Sequence, residues 1–115
     1  MIEEIVYDFL CEKMSVPVKM ELPADPSEKM IIVEKTGSSL NEFIHTSTFA
    51  IQSYGPSLFE AAELNELLKA TVLDGTDGLI ALNNITHVEL NSDYNYTDTT
   101  TKKYRYQAVF VITHY

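Results

Sequence analysis

The chain has 115 residues, 45% of them apolar and 22% charged, with a formal net charge of −9. Those totals fit one domain with one core and exclude a disordered chain. The acidic balance argues against tight, non-specific nucleic-acid binding, which needs clustered Lys or Arg to neutralise phosphates. It suits either simple solubility or a wall past which DNA slides without sticking.

No stretch of about 18 apolar residues is present to span a membrane. Met1-Ile2-Glu3-Glu4 lacks the basic and apolar regions of a signal peptide. Cys11 is alone, so no intrachain disulfide is expected, and synthesis in a reducing cytosol is the simplest reading.

Residues 2–14, IEEIVYDFLCEKM, read as an amphipathic helix. Ile2, Ile5, Val6, Phe9, Leu10 and Met14 repeat at helical spacing. Glu4, Asp8 and Glu12 line the other side, where like charges repel, so apolar packing must hold the helix. Ser15 and Pro17 end it. Val16–Leu22 reads as a short extended segment with Val18 and Met20 on one side, and Pro23–Ser27 as a loop. The prolines place this segment at a sheet edge or in a connection.

Met30–Lys35 is apolar and β-branched, a buried strand. Thr36-Gly37-Ser38-Ser39 is a turn cluster, and Phe43–Tyr54 a long strand covered in part on both sides. A hairpin across Thr36–Asn41 is the expected connection. Gly55-Pro56 stops the second strand. Ser57-Leu58-Phe59-Glu60 fits a capping box, opening a helix to about Leu73. Its stripe is Leu58, Ala61, Leu64, Leu68 and Val72. Phe59 and Leu67 lie off that stripe and are candidate subunit contacts.

Asp74–Gly78 is a turn. It lacks the alternating oxygen ligands and closing Glu of an EF-hand. Leu79–Asn83 is a helical turn or a plain connection. Ile85–Tyr96 alternates cleanly, with Val88, Leu90, Ser92, Tyr94 and Tyr96 on one side. After a polar loop, Thr97–Lys102, the last strand runs Lys103–Tyr115; its final half is apolar on both sides, as in a central strand or one covered by another subunit. A symmetric hairpin brings Tyr94 and Tyr96 near Tyr104 and Tyr106, four candidate interface anchors. Lys102, Lys103 and Arg105 form a small basic cluster that could touch DNA or a neighbour's acidic helix surface. The elements follow the order α-β-β-β-α-β-β, an α+β class in one domain over residues 1–115.

An enzyme needs convergent reactive groups. His45, His87 and His114 lack partners at metal-ligand spacing, though strands could bring them together in space. Cys11 has no helix N-terminus or adjacent cation to activate it. No Gly-x-Ser-x-Gly elbow or Gly-rich phosphate loop is present. A non-catalytic protein without cofactor or metal is therefore expected.

Three stretches, VEKTGSS (Val33–Ser39), TFAIQSYGPSLFEAAELNE (Thr48–Glu66) and LNSDYNYTDTTTKKYRYQAVFVITHY (Leu90–Tyr115), resemble tail-terminator (tail-completion) proteins of long-tailed phages and prophages of Gram-positive bacteria. With the first helix and the strand after it, the similarity in layout covers nearly the whole chain. The resemblance implies a mostly antiparallel sheet of four to five strands with two helices packed against it. It further implies a homohexameric ring that caps the tail tube, ends its polymerisation and faces the head connector, while DNA passes through the opening unbound. Assembly in the bacterial cytoplasm and a place at the virion's head–tail junction go with that role. A head–tail neck adaptor and a small ligand-binding α+β domain are the alternatives.

Overall fold

The structure, a computed structural model, describes residues 1–24, 28–101 and 103–115. Helix α1 (Ile2–Lys13) is followed by strands β1 (Val18–Lys19), β2 (Met30–Asn41) and β3 (Ile44–Gly55). Helix α2 (Leu58–Leu73), a 3-10 turn (Leu79–Ala81), β4 (Ile85–Asn95) and β5 (Tyr104–His114) complete the order. The five strands form one sheet in the order β1-β2-β3-β5-β4, antiparallel except for the β1–β2 pair. This is the α+β arrangement expected from the sequence, with β5 between β3 and β4; its Ala108, Phe110 and Ile112 face the helices, and its Val109 and Val111 lie half-buried on the face without helices.

Both helices pack on one face of the sheet. Val6, Phe9 and Leu10 of α1 and Leu64, Leu68 and Val72 of α2 share a single apolar cluster with the strands. Ile31, Val33, Phe49, Ile51, Ala108, Phe110 and Ile112 come from the sheet. Register explains the choice of residues, because directly paired residues share a face. Phe49 pairs with Phe110 and Ile51 with Ala108. The Ser57 hydroxyl accepts the Glu60 amide at 3.2 Å and donates to the Glu60 carboxylate at 3.1 Å, so the capping box starts α2 as read.

Four local expectations are corrected. Thr36–Asn41 is not a turn. Lys35 pairs with Phe49 and Gly37 with Thr48, so Thr36 is an extra residue, a β-bulge that the strand absorbs while β2 runs on to Asn41. The hairpin instead reverses at Glu42-Phe43, whose φ angles are 50° and 72°. Leu58 is exposed, because it opens the helix beyond the sheet; Asn65 takes a place in the buried stripe instead. Met20 is exposed although Val18 is buried, since β1 spans only Val18–Lys19 and the strand alternation stops there. The fourth correction concerns the tyrosines. Leu90 pairs with Phe110 and Ser92 with Val109, so a bulge at Asn91 switches the faces of β4. Beyond it Tyr94 pairs with Gln107 and Asn95 with Tyr106. Tyr94 and Tyr96 therefore stand on the sheet face away from the helices, and Tyr104 and Tyr106 on the helix face.

The bulge has a structural use. It turns Asp93 toward α2, where its carboxylate accepts from Asn65 Nδ2 at 2.7 Å and from the Lys69 ammonium. Lys69 also meets Glu66 at 2.7 Å, and these two carboxylates, Asp93 first, raise its pKa above the usual lysine value. Asn65 is almost fully buried, so this tether fixes the middle of α2 over the end of β4.

Candidate functional site

Four surfaces carry the residues that could meet a partner or ligand. The first is the outer side of α2. Phe59 is 74% exposed and Leu67 53% exposed, as the helical wheel predicts. Leu67 also walls a recess of about 340 Å³ with Val16, Leu64, Glu60, Glu63 and the stem of Lys29. The Lys29 ammonium stands 3.5 Å from the Glu60 carboxylate at this recess.

The second surface is the open face of the sheet. Tyr94 and Tyr96 meet edge to face with their rings 5.8 Å apart. The Tyr94 hydroxyl accepts from Gln107 Nε2, and Gln107 Oε1 accepts from Gln52 Nε2 at 2.9 Å. Arg105 lies across the same row. Its Nη1 donates to the Tyr54 hydroxyl at 2.8 Å, its Nε to the Tyr96 carbonyl at 2.8 Å, and its guanidinium carbon sits 4.5 Å from the Tyr96 ring centre. These contacts use the guanidinium to bind the sheet's own aromatics. Of the basic cluster, Lys103 is half-buried and bridges Asp98 across the β4–β5 connection, and Lys102 lies outside the described residues. Tyr104 and Tyr106 are half-buried on the helix side, so the four tyrosines are not brought together.

The third surface was not legible in the sequence. The β2–β3 hairpin projects as an arm, with Leu40, Phe43 and Ile44 exposed at its end, Phe43 to 90%. The turn chemistry that usually marks such a tip, Asn-Gly or Asp-Gly, is absent from Glu42-Phe43.

The fourth is a recess of about 360 Å³ beside α1, where β3 and β5 bring two of the three histidines together. His45 pairs with His114, and their rings stack 5.3 Å apart with 13° between planes. A carbonyl can only accept, so His114 Nδ1–H donates to the Tyr115 carbonyl at 3.1 Å. In the neutral ring its Nε2 then accepts from the Ser47 hydroxyl at 2.8 Å. Ser47 is 1% exposed, and its hydroxyl is engaged by His114 within the wall of the recess. Glu3 lines the same recess and pairs with Lys35 at 3.1 Å. A hydrogen bond from its own backbone amide, then Lys35, holds the Glu3 carboxyl below its usual value. The recess can take a small polar ligand between two imidazoles and an ion pair. His87 stands apart, exposed on the open sheet face.

Among the described residues no three His, Cys, Asp or Glu side chains gather as metal ligands, and no helix is long and apolar enough to cross a membrane. No family model matches the chain, and no curated protein does.

Proposed function

We propose that the chain is a structural, non-catalytic subunit of a phage or prophage tail, a terminator that closes into a ring on the finished tail tube. The resemblance over Val33–Ser39, Thr48–Glu66 and Leu90–Tyr115 motivates the role and the ring of six. The observation that carries it is the outer side of α2. Phe59 and Leu67 are large apolar side chains held in water among Glu60, Glu63 and Glu66, a costly arrangement for a chain that acts alone. Contacts of this kind, repeated by rotation, make closed rings. The ring would receive the tail tube on one side and the head connector on the other. Its acidic balance would let DNA pass.

Light scattering and negative-stain imaging of the purified protein, alone and with tail tubes, test this reading. The expected result is ring particles, or capped tubes that no longer lengthen. A protein that neither assembles at high concentration nor binds tubes would sink it. Binding to the head connector without any tail would favour the neck adaptor.

A second reading, a small-ligand-binding α+β domain, is favoured by the recess that holds His45 and His114 beside Glu3. Its test is an NMR titration of the imidazole resonances with small anions and polar fragments. Saturable shifts confined to His45 and His114 would support it, and their absence would remove it.

A further inference from the structure

The β2–β3 arm is built against two local rules. Glu42 and Phe43 both hold positive φ, at 50° and 72°, where side-chain-bearing residues are disfavoured and glycine is the usual choice. The same turn pushes an aromatic ring almost entirely into water, flanked by the exposed Leu40 and Ile44. The ladder that closes at Asn41 and Ile44 holds the backbone in this turn, but little in the isolated chain offsets the exposure of the ring, which touches little of its own molecule. Strain held with an exposed anchor is the signature of a surface completed by a partner.

At the other end of the same two strands lies the recess walled by Val16, Leu64 and Leu67. Lys29, at this recess, immediately precedes Met30, which pairs with Tyr54 at the base of the hairpin, whereas Asn41 and Ile44 pair at its tip. Twelve residues of β2 separate the two, about 3.3 Å each, so they stand near opposite ends of a molecule 44 Å long. The tip cannot reach its own recess. The fit between them is chemical as well as geometric. The recess, about 340 Å³, has the size and apolar wall for an aromatic ring. From Ser39 to Ile44 the tip carries one charge, Glu42, next to the ring. The recess wall carries Lys29 with the carboxylates Glu60, 3.5 Å from its ammonium, and Glu63. Glu42 seated there would give Lys29 a further carboxylate, as Lys69 has in both Glu66 and Asp93, and that pairing would set the register of the joint.

We infer that the arm is the male half of the contact between copies: Phe43 of one chain seats in the recess beside Leu67 of the next, with Glu42 facing Lys29. The inference rests on the proposed ring only for the identity of the partner, a second copy of this chain. The joint is head-to-tail, since knob and recess are different surfaces. It also gives Leu67 a specific role, as the wall that receives the ring.

The test is cross-linking in a Cys11→Ser background, which removes the exposed native thiol. Asn41→Cys, beside the ring, and Ser15→Cys, on the recess wall, leave Phe43 and Leu67 in place; they are made in separate chains, mixed at assembling concentration and treated with a short bis-maleimide. The expected product is the mixed 41–15 dimer, in excess over 41–41 and 15–15 pairs. In parallel, sedimentation of Phe43→Ser should show self-association weakened roughly tenfold or more, as for loss of a central interface anchor. If the wild-type chain assembles but only 41–41 pairs form, or Phe43→Ser assembles normally, the inference is overturned while the ring stands. If the wild-type chain remains monomeric both in solution and when bound to tail tubes, this joint is overturned; tube binding then judges the ring reading separately.

Discussion

Replacing Phe43 by glycine should make the isolated chain more stable. Phe43 sits at φ 72°, where a left-handed backbone costs an L-residue about 1–2 kcal/mol. Glycine escapes that cost but loses about 0.5–1 kcal/mol more chain entropy on folding. The side chain is 90% exposed, so its removal forfeits little burial. The net gain is about 0.5–1 kcal/mol. A domain of 60–100 residues gains about 4–8 °C in Tm per kcal/mol and one of 150–250 about 2–4 °C, so this chain should gain about 2–4 °C. Adding Glu42→Asn, to make an Asn-Gly turn, should raise it further. Thermal and urea melts are read at dilute concentration, where the chain is alone. A Tm that falls by more than about 2 °C would refute the reasoning, because it would mean that Phe43 packs within its own chain. The same variant should assemble less well. Gain of stability with loss of association is the mark of a residue kept for a partner, not for the fold.

Three further outcomes follow from the packing. A Cβ at Gly55 would stand 2.6 Å from the Ala61 amide nitrogen, so Gly55→Ala must push β3 and the start of α2 apart and should cost about 1–3 kcal/mol by chemical denaturation. Asp93→Ala removes the charged acceptor of both Asn65 and Lys69 and should cost about 2 kcal/mol, while Glu89→Ala on the same strand should stay within about 0.5 kcal/mol. Asp98 is held below the usual carboxylate value by the Thr101 hydroxyl and the Thr100 and Thr101 amides. Its contribution is therefore present at neutral pH and lost as pH falls below about 4, through its lowered pKa. Asp98→Asn should flatten the acid side of the stability profile, and an unchanged acid limb would count against this.

The helices and strands were legible because their periodicities are strong: the stripe Ile2, Val6, Phe9, Leu10 in α1, and the two-sided apolar run that puts β5 inside the sheet. What was not legible depends on single-residue insertions. Nothing local marks Thr36 or Asn91 as a bulge, yet each shifts the register of the strand beyond it. That is why Gly37-Ser38-Ser39 read as a turn and lies in a strand, and why Tyr94 and Tyr96 part from Tyr104 and Tyr106. The Glu42-Phe43 reversal was hidden for a different reason, since neither residue type favours positive φ. Of the candidate site, Phe59 and Leu67 could be found from the helical wheel alone. The His45–His114 pair needed the β3–β5 register, which no one-dimensional pattern supplies.

The two bulges in β4, between Ile85 and His87 and between Leu90 and Ser92, also decide how the sheet ends. Each breaks the even row of amides and carbonyls along one margin, which blunts it against another strand. The opposite margin is different. β1 covers the outer side of β2 only at Ile31 and Ile32, and among the described residues Glu34–Asn41 pairs with β3 on its inner side alone. Copies stacking margin to margin would need two open edges, and this sheet presents one. The molecule can therefore expose a long bare strand in its arm without the two-sided template from which fibres grow.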